Sequence, residues 1–72
     1  MNNEINLMDV VAVTDDLPEH GLVRGQVGTV VEVLAPGVYD VEFSDDTGKT
    51  YAMVTFHREQ LMLLHLRPAK VA

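Results

Sequence analysis

Two glycines three residues apart, Gly25 and Gly28, have the spacing in this chain that comes closest to a phosphate-binding loop. Such loops let backbone amides converge on a phosphate at the start of a helix, usually with a lysine in or just after the loop. Here the glycines lead into the valine-rich segment VGTVVEVL, without the Walker spacing or a third glycine. We therefore expect Gly25 to close a loop with positive φ, and Gly28 to let a strand coil or pack closely against its neighbour.

The other polar residues give little support for catalysis or for a bound metal. Cysteine is absent, which excludes thiolate chemistry and Cys-based metal sites. The histidines, His20, His57 and His65, lack metal-binding spacing, and Ser44, the only serine, lies in a predicted turn and cannot complete a catalytic triad. Two acidic pairs fit exposed strand or turn positions rather than acid–base or calcium sites: Asp40 with Glu42, and Asp45 with Asp46. We predict no enzymatic activity, no cofactor and no metal.

The charge balance argues against nucleic acids and membranes as partners. The 72 residues include 11 Asp and Glu but 5 Lys and Arg, a net charge of -6, which repels polyphosphates and anionic lipid headgroups. With 47% apolar and 22% charged residues, the chain has the composition of one globular domain. The N-terminus has neither a basic segment nor a long apolar run, which predicts a cytoplasmic protein.

Short apolar segments separated by turn residues predict an all-β fold. Composition and alternation place five strands, at 9–14, 26–34, 38–43, 49–56 and 61–65. We expect Pro18 and Gly21 to break regular structure in a long first loop, Gly37 and Gly48 to take positive φ in two tight hairpins, and residues 57–60 to form a 3-10 turn. This layout predicts a five-stranded SH3-like small barrel at residues 8–66, between an N-terminal arm at 1–7 and a C-terminal tail at 67–72.

Side-chain alternation assigns the faces of some strands but not of others. The third strand alternates cleanly and places one apolar set on a single face: Tyr39, Val41 and Phe43. In the second strand the pattern places Glu32 on the solvated face. The opposite face then carries Val27, Thr29, Val31 and Val33. In the fourth strand two apolar sets compete, and the inner face stays open: Tyr51 and Met53, or Ala52, Val54 and Phe56.

Two groups of residues are candidates for binding a partner. Asp15, Asp16 and Glu19 cluster in the first loop, from which SH3 domains present acids to basic peptides. Met62 and Leu64 lie on a final strand that is apolar on both faces, so one face needs a cover outside the barrel. That cover is either the N-terminal segment around residues 5–7 or another chain. The chain has no tryptophan, which disfavours a polyproline ligand.

Two long stretches, LMDVVAVTDDLPEHGLVRGQVGTVVEVL and YDVEFSDDTGKTYAMVTFHREQLMLL, resemble the bacterial domain-of-unknown-function family 4926 from Leu7 to Leu64. The resemblance implies an SH3-like barrel and a small stand-alone protein, sometimes encoded beside toxin-like proteins. The segment RGxxGTVVEV is also similar to KOW-type segments of ribosomal and transcription-factor barrels, which are usually more basic than this chain.

The sequence thus favours a non-enzymatic module that binds another protein, and we expect that partner to have a basic surface. The resemblance adds an antitoxin-like or neutralising role as one form of this binding. Two alternatives stay open, a nucleic-acid or ribosome-associated barrel of KOW type and an accessory subunit that docks onto a larger complex. Association between copies of the chain is open as well.

Overall fold

The chain folds into a single antiparallel sheet of five strands in a computed structural model, which describes residues 4–68. The strands run in the order β4-β3-β2-β1-β5 across the sheet. Their bounds are β1 at Val10–Val13, β2 at Val27–Ala35, β3 at Val38–Ser44, β4 at Thr50–His57 and β5 at Leu61–Leu63. The predicted all-β, barrel-like fold is confirmed, with each strand close to its predicted position.

The first loop contains one short regular element that the sequence did not predict. Pro18–His20 forms a 3-10 turn, closed by a hydrogen bond from the Gly21 amide to the Pro18 carbonyl. Proline favours the start of such a turn because its φ is already fixed. Leu22 then enters the core, where it is 1% exposed. Burial of this side chain anchors the end of the loop to the sheet. A second 3-10 turn, Arg58–Gln60, precedes β5 as predicted.

The core lies on the concave face of the sheet and is built from every strand. Phe43 and Phe56 are both fully buried, and their rings meet edge to face at a centroid distance of 6.0 Å. The edge strands β4 and β5 contribute Phe56 and Leu61 to the same cluster. The sheet therefore wraps around one core, although the strand pairings among residues 4–68 do not join β4 to β5.

The structure settles the inner faces that alternation left open or grouped wrongly. In β4 the inward residue is Phe56, while Tyr51 and Met53 are 46% and 55% exposed. In β2 a register shift between Val30 and Glu32 interrupts the alternation. A β-bulge of this kind adds one residue to a strand and turns the following side chains over, so the single face predicted from Val27 to Val33 does not exist.

The described part of the predicted N-terminal arm, residues 4–7, contributes one residue to the core. Ile5 is 2% exposed and belongs to the core cluster, whereas Leu7 is 56% exposed. At the other end Arg67 and Pro68 are exposed, and the rest of the predicted tail, 69–72, lies outside the described residues. Within residues 4–68, no helix has the length and apolar character needed to cross a membrane.

The glycines occupy positions that other residues would strain. Gly25, Gly37 and Gly48 have φ values of 92°, 78° and 86°. Gly28 is different, because a Cβ there would lie 2.6 Å from Val41 Cγ1, 2.9 Å from the Glu42 carbonyl oxygen and 2.9 Å from Phe43 Cε2. The absent side chain lets β2 approach the buried side chains of β3.

We expect Gly28→Ala to destabilise the domain by about 2–3 kcal/mol, because the new methyl group must displace a backbone oxygen as well as two core side chains. Denaturant unfolding followed by circular dichroism measures this cost. Thr29→Ala, at the next position and on the opposite face, is the control and should change stability by less than about 1 kcal/mol. Equal stability of the Gly28→Ala variant and the unaltered protein would contradict the close approach.

Candidate functional site

An exposed apolar row crosses the convex face of the sheet on β2, β1 and β5. Val11 and Val13 point into the core, so Ala12 between them points outward. The register pairs Ala12 with Val27 on one side and with Met62 on the other. Val27 is 49% exposed and Met62 57% exposed, while Ala12 is covered. These three side chains form a row that we call the outer strip.

A second row lies beside the outer strip and leads into a groove. Val10 and Leu64 are half-buried and adjacent, because the Leu64 amide donates a hydrogen bond of 3.0 Å to the Val10 carbonyl. Both residues line an open groove of about 670 Å³, together with exposed Met8 and Leu66. Apolar surface therefore continues from the outer strip to the N-terminal end of β1.

The position of Met8 at this groove is fixed by a tight turn. Met8 has φ of 71°, which is unusual for a residue with a side chain. The Asp9 carboxylate accepts a hydrogen bond of 2.7 Å from the Asn6 amide, and the Met8 amide donates one of 2.7 Å to the Val30 carbonyl. These bonds hold the left-handed backbone and keep the Met8 side chain at the mouth of the groove.

The acids of the first loop lie beyond the other end of β1. Thr14 donates its amide to the Gln60 carbonyl at 3.0 Å, which anchors the start of the loop beside the second 3-10 turn. Asp16 accepts a hydrogen bond of 2.8 Å from the Arg24 amide across the loop, so one of its oxygens has a structural role. Asp15 and Glu19 are exposed. The outer strip thus crosses β1 between the groove at one end of this strand and the acidic loop at the other.

The residues predicted from sequence are only part of this surface. Met62 stands in the outer strip, and Leu64 lies between the strip and the groove. Asp15, Asp16 and Glu19 share the loop that follows β1. Sequence reasoning missed four other contributors: Met8, Val10, Ala12 and Val27. Alternation along the first strand, with Val10 and Ala12 facing outward, would have suggested two of them. The residues beside these two come from distant segments of the sequence and could not be found in this way.

Polar chemistry is sparse elsewhere on the domain. Residues 4–68 contain no group of three His, Cys, Asp or Glu side chains placed to hold a metal ion. His20, His57 and His65 are exposed and belong to separate elements. The groove and the outer strip together therefore form the candidate binding surface of the described residues.

Comparison with family models identifies the chain's relatives. The model of the family described as "Domain of unknown function (DUF4926)" matches residues 7–63. The chain belongs to this family. The predicted resemblance is thereby confirmed, and the match covers the whole sheet, from the groove-lining segment before β1 to the end of β5. Neither the curated proteins nor the solved structures gave a match.

One acidic residue outside this surface has a purely structural role. Asp45 begins the turn between β3 and β4, and its Oδ1 accepts hydrogen bonds from the Thr47 hydroxyl at 2.6 Å, the Thr47 amide at 2.9 Å and the Lys49 amide at 3.0 Å. The bond from the Thr47 hydroxyl, with help from the Lys49 amide, lowers the pKa of the Asp45 carboxyl below its usual value. This carboxylate therefore orders the hairpin.

We expect the Asp45 carboxyl to titrate at lower pH than an unstructured aspartate. Since its pKa is lowered by folding, its contribution to stability is present above the unfolded pKa and disappears as the pH falls through the folded pKa. A carboxyl-detected NMR titration measures this pKa directly, and Thr47→Val should raise it by removing the hydroxyl donor. A pKa that is unchanged in the Thr47→Val variant would show that the Thr47 hydroxyl does not stabilise the charge.

Proposed function

We propose that this protein is a non-enzymatic module that binds another protein through the outer strip, with the acidic first loop directing a basic partner towards it. The observation that carries the proposal is the pair of exposed side chains Val27 and Met62, which flank Ala12 on the convex face. Burying its apolar surface would contribute roughly 25 cal/mol per Å². The same surface exposed to water contributes nothing to folding.

The composition of this surface fits the centre and rim of a protein interface. Interfaces have an apolar centre with few charges and a polar, accessible rim. Met62 and Met8 are long, unbranched and adaptable, which suits a surface that must fit a partner's shape. Asp15 and Glu19 lie at the rim rather than in the strip. Burial of the apolar strip would then keep the dissociation rate of the complex low.

Charge would act mainly on the rate at which the protein and its partner associate. The chain carries a net charge of -6, and acids beside an apolar patch raise the association rate of a cationic partner and disfavour anionic ones. A partner with a basic active surface would be covered by such a module, which is the form that an antitoxin-like or neutralising role would take. The same charge disfavours nucleic acid as the ligand.

Replacing the strip by polar side chains of similar shape should abolish partner capture. We expect a Val27→Thr, Met62→Gln variant, immobilised and exposed to a lysate of the native host, to lose the proteins that the unaltered chain retains, because polar groups in the centre must be desolvated on binding. Quantitative mass spectrometry of the retained proteins measures the loss. The melting temperature should stay within a few degrees, since both side chains are about half exposed.

The control for the strip variant is Val33→Thr, which makes the same kind of change at a residue of similar exposure, 46%, away from the strip. It should retain the captured proteins. Capture that is lost equally in the control, or retained in the strip variant, would contradict the assignment of the strip. Retention of RNA or DNA in place of protein would refute the proposal altogether.

Neutralising the first loop should slow capture without loosening the complex. The variant carries Asp15→Asn, Asp16→Asn and Glu19→Gln, and the Asn at 16 keeps an oxygen for the Arg24 amide. We expect its association rate with the captured partner, measured by surface plasmon resonance, to fall about tenfold and to depend less on salt, with a similar dissociation rate.

A matched control removes the same number of charges elsewhere, by Glu32→Gln, Glu42→Gln and Asp46→Asn. If the loop directs the partner, this control should slow association much less than the loop variant. Equal slowing by both variants would show that net charge alone matters and that the first loop has no special part.

A further inference from the structure

The two edges of the sheet differ in how they are protected. The β5 edge is three residues long. The carbonyl of Leu61 accepts a hydrogen bond of 2.9 Å from Arg58 Nη1, and its amide donates to the Arg58 carbonyl. A short strand whose edge groups are already bonded offers little to another strand.

The β4 edge has none of these protections in its sequence. Thr50–His57 is eight residues long, TYAMVTFH, and contains no proline, lysine, arginine or acid. Natural proteins block exposed edges with charged residues, prolines, β-bulges or very short strands. The register shift in the pairing of β4 with β3 lies near the start of β4, and the ladder is regular from Ala52 to His57. Among residues 4–68, β4 pairs only with β3. An uncharged strand of this length at a sheet edge is a surface for pairing with a further strand.

The register shows which backbone groups face outward. The Arg58 amide donates a hydrogen bond of 2.9 Å to the Gly37 carbonyl, and the pairing continues through Phe56 with Tyr39 and Val54 with Val41. Antiparallel pairs alternate between bonded and non-bonded, so these even-numbered residues of β4 bond to β3. The amides and carbonyls of the residues between them, Met53 and Thr55, point away from the sheet.

We infer that β4 pairs antiparallel with β4 of a second copy across a two-fold axis, which joins the two sheets into one of ten strands. A two-fold interface requires a surface that complements itself. Because β4 contains no charged residue, any register of the pair avoids opposing like charges. The register that bonds Met53 to Thr55 of the second copy brings Lys49 of each chain towards Glu59 of the other, which adds opposite charges at both ends.

The side chains support the same occupant. Met53 is 55% exposed and Tyr51 46% exposed. Tyr51 is held in place by a hydrogen bond of 2.8 Å to its hydroxyl from Gln26 Nε2. Across the two-fold axis Met53 would lie opposite a neutral side chain of the other β4, which would cover part of its apolar surface.

The test is Met53→Lys, because it places a charge on the edge without harming the fold. The register sets Met53 directly opposite Glu42, so the lysine gains a cross-strand partner within its own chain, while two lysines meet near the two-fold axis. By sedimentation equilibrium we expect the unaltered protein to reach twice its mass of 8.0 kDa and the variant to dimerise at least about tenfold more weakly. Val33→Lys, on an interior strand, should dimerise as the unaltered protein does.

Amide exchange identifies the strand that pairs. Exchange of the Met53 and Thr55 amides should slow as protein concentration rises, whereas that of Val54 should stay constant because its amide bonds within the chain. The inference is wrong if the protein stays at 8.0 kDa up to about 1 mM, or if the Met53→Lys variant dimerises as strongly as the unaltered protein. It is also wrong if the exchange rates of the Met53 and Thr55 amides do not change with protein concentration. The strip variant Val27→Thr, Met62→Gln should still dimerise, which separates this interface from the proposed partner surface.

Discussion

The close approach of β2 to β3 at Gly28 is the contact on which the rest of the structure depends. A glycine there removes the side chain that would hold the strands apart, and the buried side chains of Val41 and Phe43 occupy the space. A strand with one missing side chain and a bulge a few residues later bends and twists more than a regular strand. This bend allows one sheet to wrap around a core that β4 and β5 enter from opposite edges.

A sheet wrapped in this way has only one face for its core, which explains why apolar side chains remain on the other. The concave face is filled by fully buried residues such as Phe43 and Phe56. The convex face of β1 is flanked by β2 and β5, so Ala12 is covered by its neighbours while Val27 and Met62 stay in solvent. A domain of this size has little stability to spare, and covering such a surface by a partner would add to it.

Much of the fold could be predicted from local pattern, but the candidate surface could not. The clean alternation of β3 and the turn residues around Gly37 and Gly48 depend only on neighbouring residues, and they predicted both hairpins. The faces of β2 could not be predicted, because its bulge depends on how it pairs with β3. The burial of Ile5 could not be predicted either, because only the folded sheet creates the site that buries it.

The outer strip joins residues 12, 27 and 62, and no periodicity within one segment connects them. Their proximity follows from the register of β1 against two different strands, and a slip of one residue in either pairing would turn one of the three inward. The same register fixes which amides of β4 face outward. Both surfaces therefore depend on strand pairing, and the acidic residues among 4–68 lie outside them, in loops, in the 3-10 turns and on β2 and β3. That separation leaves an uncharged strip and an uncharged sheet edge on a domain whose net charge is -6.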